Sequence, residues 1–80
     1  MENKLSVVAI MVSDAEAVEK VNLLLHEYRE FIAGRMGLPY RDRGVSVITL
    51  VIDAPIEKIN GLSGKLGMIK GVTSKVMVTK

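Results

Sequence analysis

The sequence predicts an α+β domain built from one four-stranded antiparallel sheet with two helices on one of its faces. Three observations predict it. Apolar residues repeat with period two in four stretches and at three- and four-residue steps in two others. These stretches follow the order strand, helix, strand, strand, helix, strand. Two of the strand stretches are apolar at nearly every position, which places them at the centre of a sheet.

The first strand is Leu5 to Val12, where both alternating sets are apolar: Leu5, Val7, Ala9 and Met11, and Val8, Ile10 and Val12. A strand of this kind is covered on both faces. Ser13 and Glu16 then have the spacing of a capping box, which predicts Ser13 as the N-cap of the first helix. That helix is expected from about Asp14 to about Glu30. Its buried stripe is Val18, Val21, Leu25, Tyr28 and Ile32, widened by Leu24 and Phe31, with Leu23 outside it. Gly34 to Tyr40 alternates Met36, Leu38 and Tyr40 with Arg35, Gly37 and Pro39. Proline cannot donate to a ladder, so this second strand belongs at a sheet edge.

Arg41, Asp42, Arg43 and Gly44 read as a hairpin turn with Gly44 free to take positive φ. Val45 to Ile52 is the second central strand. Asp53, Ala54 and Pro55 open the second helix, whose stripe is Ile56, Ile59, Leu62 and Leu66. Gly61 and Gly64 lower its helix propensity and suggest close backbone packing, and Gly67 is the expected C-cap. Val72 to Thr79 alternates cleanly, as an edge strand does. With the first and third strands central, the sheet order is 4-1-3-2, the ferredoxin-like βαββαβ sandwich with right-handed crossovers.

Two helices cover one face of such a sheet, yet both central strands are apolar on both faces. The uncovered face therefore predicts a homo-oligomer, dimer or tetramer, formed through the sheet. A lysine at Val8, at Ile10 or at whichever neighbour faces outward is expected to disrupt it.

Composition limits the function classes. Residues 1–80 are long enough for one domain only, and the apolar share of 49% makes it globular. With no cysteine there are no disulfides, no cluster ligation by the chain and no thiol chemistry, a composition that fits the cytoplasm. No apolar run is long enough to span a membrane, and the N-terminal residues lack the pattern of a signal peptide. A net charge of +2, spread along the chain, is no nucleic-acid footprint. Arg43 to Leu50 has the spacing of the third-strand signature of RNA-recognition motifs, but Val45, Val47 and Leu50 stand where bases would need aromatic partners.

Catalytic and metal constellations are not evident. His26 is the only histidine, beside Asn22, Arg29 and Glu30, and is most simply a surface residue at an interface rim, because metal sites need several converging ligands. Asp14, Asp42 and Asp53 sit where caps and turns already account for them. There is no Ser-His pairing, phosphate loop or carboxylate pair, so no enzyme activity and no cofactor are expected. The most distinctive segment is Gly34 to Gly44, with three arginines and three glycines around one hairpin. It reads either as an anion pocket, with arginines as forked donors, or as an edge strand and turn carrying solvated charge against aggregation. The candidate ligand- or partner-binding residues are Arg35, Gly37, Tyr40, Arg41 and Arg43, with His26. Arg35 and Arg41 share one alternation face with only Gly37 and Pro39 between them, and Asp42 could pair locally with an arginine.

That segment, together with His26 through Gly44, Val45-Ser46-Val47-Ile48, Leu62-Ser63-Gly64-Lys65-Leu66-Gly67 and Gly71-Val72, resembles the small iron-only hydrogenase system regulator family over nearly the whole chain. The most specific pieces are Gly34-Arg35-Met36-Gly37-Leu38-Pro39-Tyr40 and Ser63-Gly64-Lys65-Leu66-Gly67. The resemblance implies an ACT-like fold, similar to the C-terminal domain of nickel-responsive repressors, in a family encoded beside maturation proteins for iron–iron hydrogenases in anaerobes. The nickel ligands of those repressors are not carried over, because Arg35, Met36, Gly37 and Leu38 stand in their region and there is no cysteine. A first strand beginning near Lys4 leads us to expect no DNA-binding arm, so any transcriptional role would run through another chain. The doubly apolar sheet and the resemblance together lead us to expect a homo-oligomeric regulatory module that binds a small ligand or a protein, with a small anion or a hydrogenase-system protein as the expected partner. Two alternatives are an accessory factor or enzyme of cofactor maturation acting on an anionic substrate, and a purely structural association domain.

Overall fold

The computed structural model describes residues 2–79, so Met1 and Lys80 of the expected domain lie outside the described residues. Its elements are β1 (Asn3–Val12), α1 (Ala15–Glu27), β2 (Ile32–Tyr40), β3 (Val45–Pro55), α2 (Ile56–Gly67) and β4 (Val72–Val78), with short 3-10 turns at Arg29–Phe31 and Arg41–Arg43. The sheet runs β2-β3-β1-β4, all antiparallel, which is the expected order with both central strands in place.

Register decides which apolar set meets the helices. Val8, Ile10 and Val12 lie beside Leu50, Ile48 and Ser46 of β3. These residues of β1, with Ile48, Leu50, Ile52 and Ala54, are buried under Val21, Leu24 and Leu25 of α1 and Ile59, Leu62 and Leu66 of α2. Burying each such aliphatic side chain stabilises the fold by about 1.5–3 kcal/mol. Val8 and Ile10 are therefore core residues, and the expectation that either faces an interface is corrected. Ser6 shares their face, is fully buried, and its hydroxyl has no hydrogen-bond partner among the described residues.

The β1–α1 corner differs from the capping-box expectation. Asp14, not Ser13, caps α1, its carboxylate accepting from the Glu16 N–H at 3.0 Å. Ser13 is engaged elsewhere: its N–H and its hydroxyl both donate to the Gly71 carbonyl, at 2.8 and 3.2 Å. A long-range tie thus takes the residue that local spacing favoured. Gly71 itself has φ +84°, and a Cβ there would stand 2.6 Å from the Asp14 Cβ.

α1 also ends earlier than its stripe suggests. Arg29 Nη1 donates to the His26 carbonyl at 2.9 Å, the chain tightens into the 3-10 turn, and Ile32 already pairs with Ile52. β2 therefore starts at Ile32, with a bulge before Gly34, rather than at Gly34. Tyr28 is buried as expected, and Leu23 is exposed. In α2, Pro55 precedes the first helical residue, and Gly67 lies inside the helix with Met68 as its C-cap, which corrects the expected glycine cap. Close packing holds at Gly61, where a Cβ would approach the Tyr28 hydroxyl to 3.2 Å, but not at Gly64, which has open space. Gly44 adopts φ +63° after the hairpin turn, as its position predicts.

Two glycine substitutions separate these environments. Gly71→Ala is expected to destabilise the domain by about 2–3 kcal/mol, combining the left-handed backbone with the contact at Asp14. Gly64→Ala is expected to stabilise it by about 0.5–1 kcal/mol, because a helical glycine with free space loses only backbone entropy. Urea unfolding midpoints of the two variants check both signs.

Candidate functional site

Two surfaces stand out. The first is the sheet face away from the helices. Alternation places Leu5, Val7, Ala9 and Met11 there from β1, and Val45, Val47, Thr49 and Val51 from β3. Met36, Leu38 and Tyr40 of β2 lie beside Thr49, Val47 and Val45, and Met77 of β4 lies beside Val7. Met11 is 55% exposed, Leu38 53% and Met77 66%, values far from those of a core. Charge from the strands on this face is confined to Lys75 of the edge strand β4 and Asp53 near the end of β3, with Arg43 of the hairpin turn at its border.

The second surface is a groove between α1 and the edge strand β2. One end is an open cavity of about 240 Å³ lined by Asn22, Leu25, His26, Arg29, Ile32 and Arg35. The groove continues past Gly37 and Pro39, sharing Asn22 and Arg35 with the first cavity. It then shares Val18 and Pro39 with a smaller hollow of about 170 Å³ that reaches Arg41 and Gly44. Arg35 Nη2 donates to the Asn22 side-chain oxygen at 3.0 Å, which ties the strand to the helix across this gap. Arg35 points here because Leu50, its partner in β3, belongs to the helix-side set.

The six candidate residues are thus divided. His26 and Arg35 line one cavity, Gly37 lies midway along the groove, and Arg41 stands at the far end. Tyr40 borders both the groove and the open sheet face. Arg43 lies on the open-face side, beside Met11, Val45 and Val47. Asp42 forms no ion pair among the described residues, where the ion pairs are Lys4 with Glu2 and Lys65 with Glu27. Arg29 joins the His26 end and was not among the candidates. Its signal was its place two residues past the helix end, where a basic side chain reaches the last carbonyls. Among the described residues no three histidine, aspartate or glutamate side chains converge as metal ligands, and no helix is long and apolar enough to cross a membrane.

Comparison with known proteins supplies the relationship. Residues 4–76 match the TM1266-like family model, described as "Iron-only hydrogenase system regulator, putative". The chain belongs to this family. The solved structure of the uncharacterized protein TM1266 from Thermotoga maritima is 38% identical, with a TM-score of 0.95 over 99% of this chain and 100% of that one. At the level of fold alone, the TM1266-like chain is similar to the ACT domain of GTP pyrophosphokinase from Chlorobium tepidum: TM-score 0.74, 20% identity, 100% of this chain and 90% of that one. A formyltetrahydrofolate deformylase from Pseudomonas putida also contains the fold: TM-score 0.60, 18% identity, 92% of this chain but 28% of that one. No functionally curated protein matches. This TM1266-like domain is therefore ACT-like in fold, as its sequence resemblance implied.

Arg35 is exposed and its tie to Asn22 is solvent-accessible, so its loss has little to act on in the core. Arg35→Ala is expected to cost at most about 1 kcal/mol, the scale of one neutral-acceptor hydrogen bond. A thermal melt checks this; a loss of several kcal/mol would mean the side chain is structural.

Proposed function

We propose that this TM1266-like domain is a regulatory module of the iron-only hydrogenase system, working as a homo-oligomer through its open sheet face and binding a small ligand or partner at the arginine-bearing β2 edge. The observation that carries the reading is the contiguous apolar face on a sheet whose other face is already filled. The family description supports the regulatory role.

A second copy of the same chain is the occupant we infer for that face. Strands about 4.8 Å apart and ~3.3 Å per residue give four strands of this length a plane of roughly 600 Å². Its accessible area approaches the ~800 Å² per partner of a standard interface. The centre is apolar and its charges are peripheral, which is the anatomy of an interface. Asp53 and Lys75 offset each other, and Arg43 adds its charge only at the hairpin end of the face, so the apolar centre is free of like-sign repulsion.

The test is self-association. Light scattering at micromolar concentration is expected to show a dimer or larger assembly for the wild type. Val51→Lys, on the open face, is expected to weaken association by about a hundredfold or more, since a lysine there must be desolvated or must hold the sheets apart. Met68→Lys, at the end of α2 and already 86% exposed, is the control that leaves the assembly intact. A wild-type monomer, or equal behaviour of the two variants, contradicts the reading.

A further inference from the structure

The His26 end of the groove has a chemistry more specific than a basic patch. Arg29 and Arg35 both line it, and each is held by a neutral oxygen: the His26 carbonyl for Arg29, the Asn22 side chain for Arg35. Among the described residues neither guanidinium has a carboxylate partner. A guanidinium carries five N–H donors, so most of each fork remains unspent after these bonds. The neutral ties fix the arginines without neutralising them, which leaves two positive forks over one cavity.

The floor beneath them is apolar. Leu25 is fully buried, and Ile32 is half-buried against the core. No aspartate or glutamate lines the cavity. The His26 carbonyl and the Asn22 side-chain oxygen in the lining each already receive an arginine donor, and none of the lining acceptors carries a negative charge.

We propose that this cavity binds a small organic anion with a carboxylate head and a short apolar tail, and that it rejects the α-amino acid of the same shape. The carboxylate accepts from the forks of Arg29 and Arg35, a charge-assisted and bidentate arrangement. The tail covers Ile32 over the buried Leu25, and an opening of about 240 Å³ accommodates a branched aliphatic chain of leucine size. An α-ammonium group would enter a site with two positive neighbours and no carboxylate to offset its charge. Inorganic phosphate satisfies the forks but leaves the apolar floor uncovered. This ligand class deepens the reading of the domain as a ligand-responsive module and rests on it.

The experiment is a titration of the isotopically labelled full chain, followed by amide NMR, with three probes: 4-methylpentanoate, its 2-amino analogue leucine, and inorganic phosphate. Expected is a saturable response to 4-methylpentanoate at about millimolar concentration or below, centred on Asn22, His26 and Arg35, with leucine and phosphate at least tenfold weaker. Arg35→Ala and Arg29→Ala are each expected to weaken the acid tenfold or more. Melting curves on both variants show whether they remain folded, and Arg35→Gln, which keeps a polar side chain beside Asn22 but removes the charge, is expected to give the same loss. No saturation by the acid, equal affinity for leucine or for phosphate, or a response centred elsewhere overturns the proposal. Light scattering on the same samples reports assembly separately: an oligomer that ignores the acid sinks the ligand alone, and a monomer that binds it sinks the homo-oligomer reading alone.

Discussion

Backbone pairing sends alternate residues of a strand to opposite faces of the sheet, so a strand that is apolar on both alternating sets needs two covers. β1 and β3 are such strands, and the two helices provide only one cover. Val8, Ile10 and Val12 receive α1 and α2, while Val7, Ala9 and Met11 receive nothing from this chain. The same constraint shapes the rest of the molecule. The helices must lie side by side to close the core, which leaves α1 alone beside β2 and opens the groove that Arg35 and Asn22 span.

The corners of the fold serve that arrangement. Gly71 brings the start of β4 against the end of β1, and its carbonyl holds both donors of Ser13. Asp14 is then left to cap α1. At the other end of α1, Arg29 satisfies a terminal carbonyl and the chain turns at once into β2. Tyr28 sits at this second corner, packed in the core with its hydroxyl against Gly61 and its ring 5.3 Å from the Lys65 ammonium. The two helices therefore approach closely where the groove begins, and the positions of Arg29 and Arg35 follow from backbone geometry.

Element order, sheet order and the edge placement of β2 and β4 were legible because each rests on local periodicity. Pro39 and the clean alternation of Val72 to Thr79 suffice for the edges. The choice between the two apolar sets of β1 was not legible: both are apolar, and only register with β3 and the helices separates Val8 and Ile10 from Val7 and Met11. The cap at Asp14 was hidden for a similar reason, since Ser13 is taken by a residue 58 positions away. At the groove, alternation correctly put Arg35 opposite Met36 and Leu38 in facing, but the pairing with Asn22 and the presence of Arg29 depend on where α1 stops. Arg43 followed the hairpin to the other side, which no spacing rule anticipates.

The central claim is that the open sheet face is covered in solution. Three methionines lie on it, Met11, Met36 and Met77, while Met68 stands exposed at the end of α2. Methyl-labelled methionine NMR with a soluble paramagnetic probe compares them directly in one sample at micromolar concentration. The account predicts that Met68 is strongly broadened while Met11, Met36 and Met77 are shielded. Equal broadening of all four methyls would contradict it.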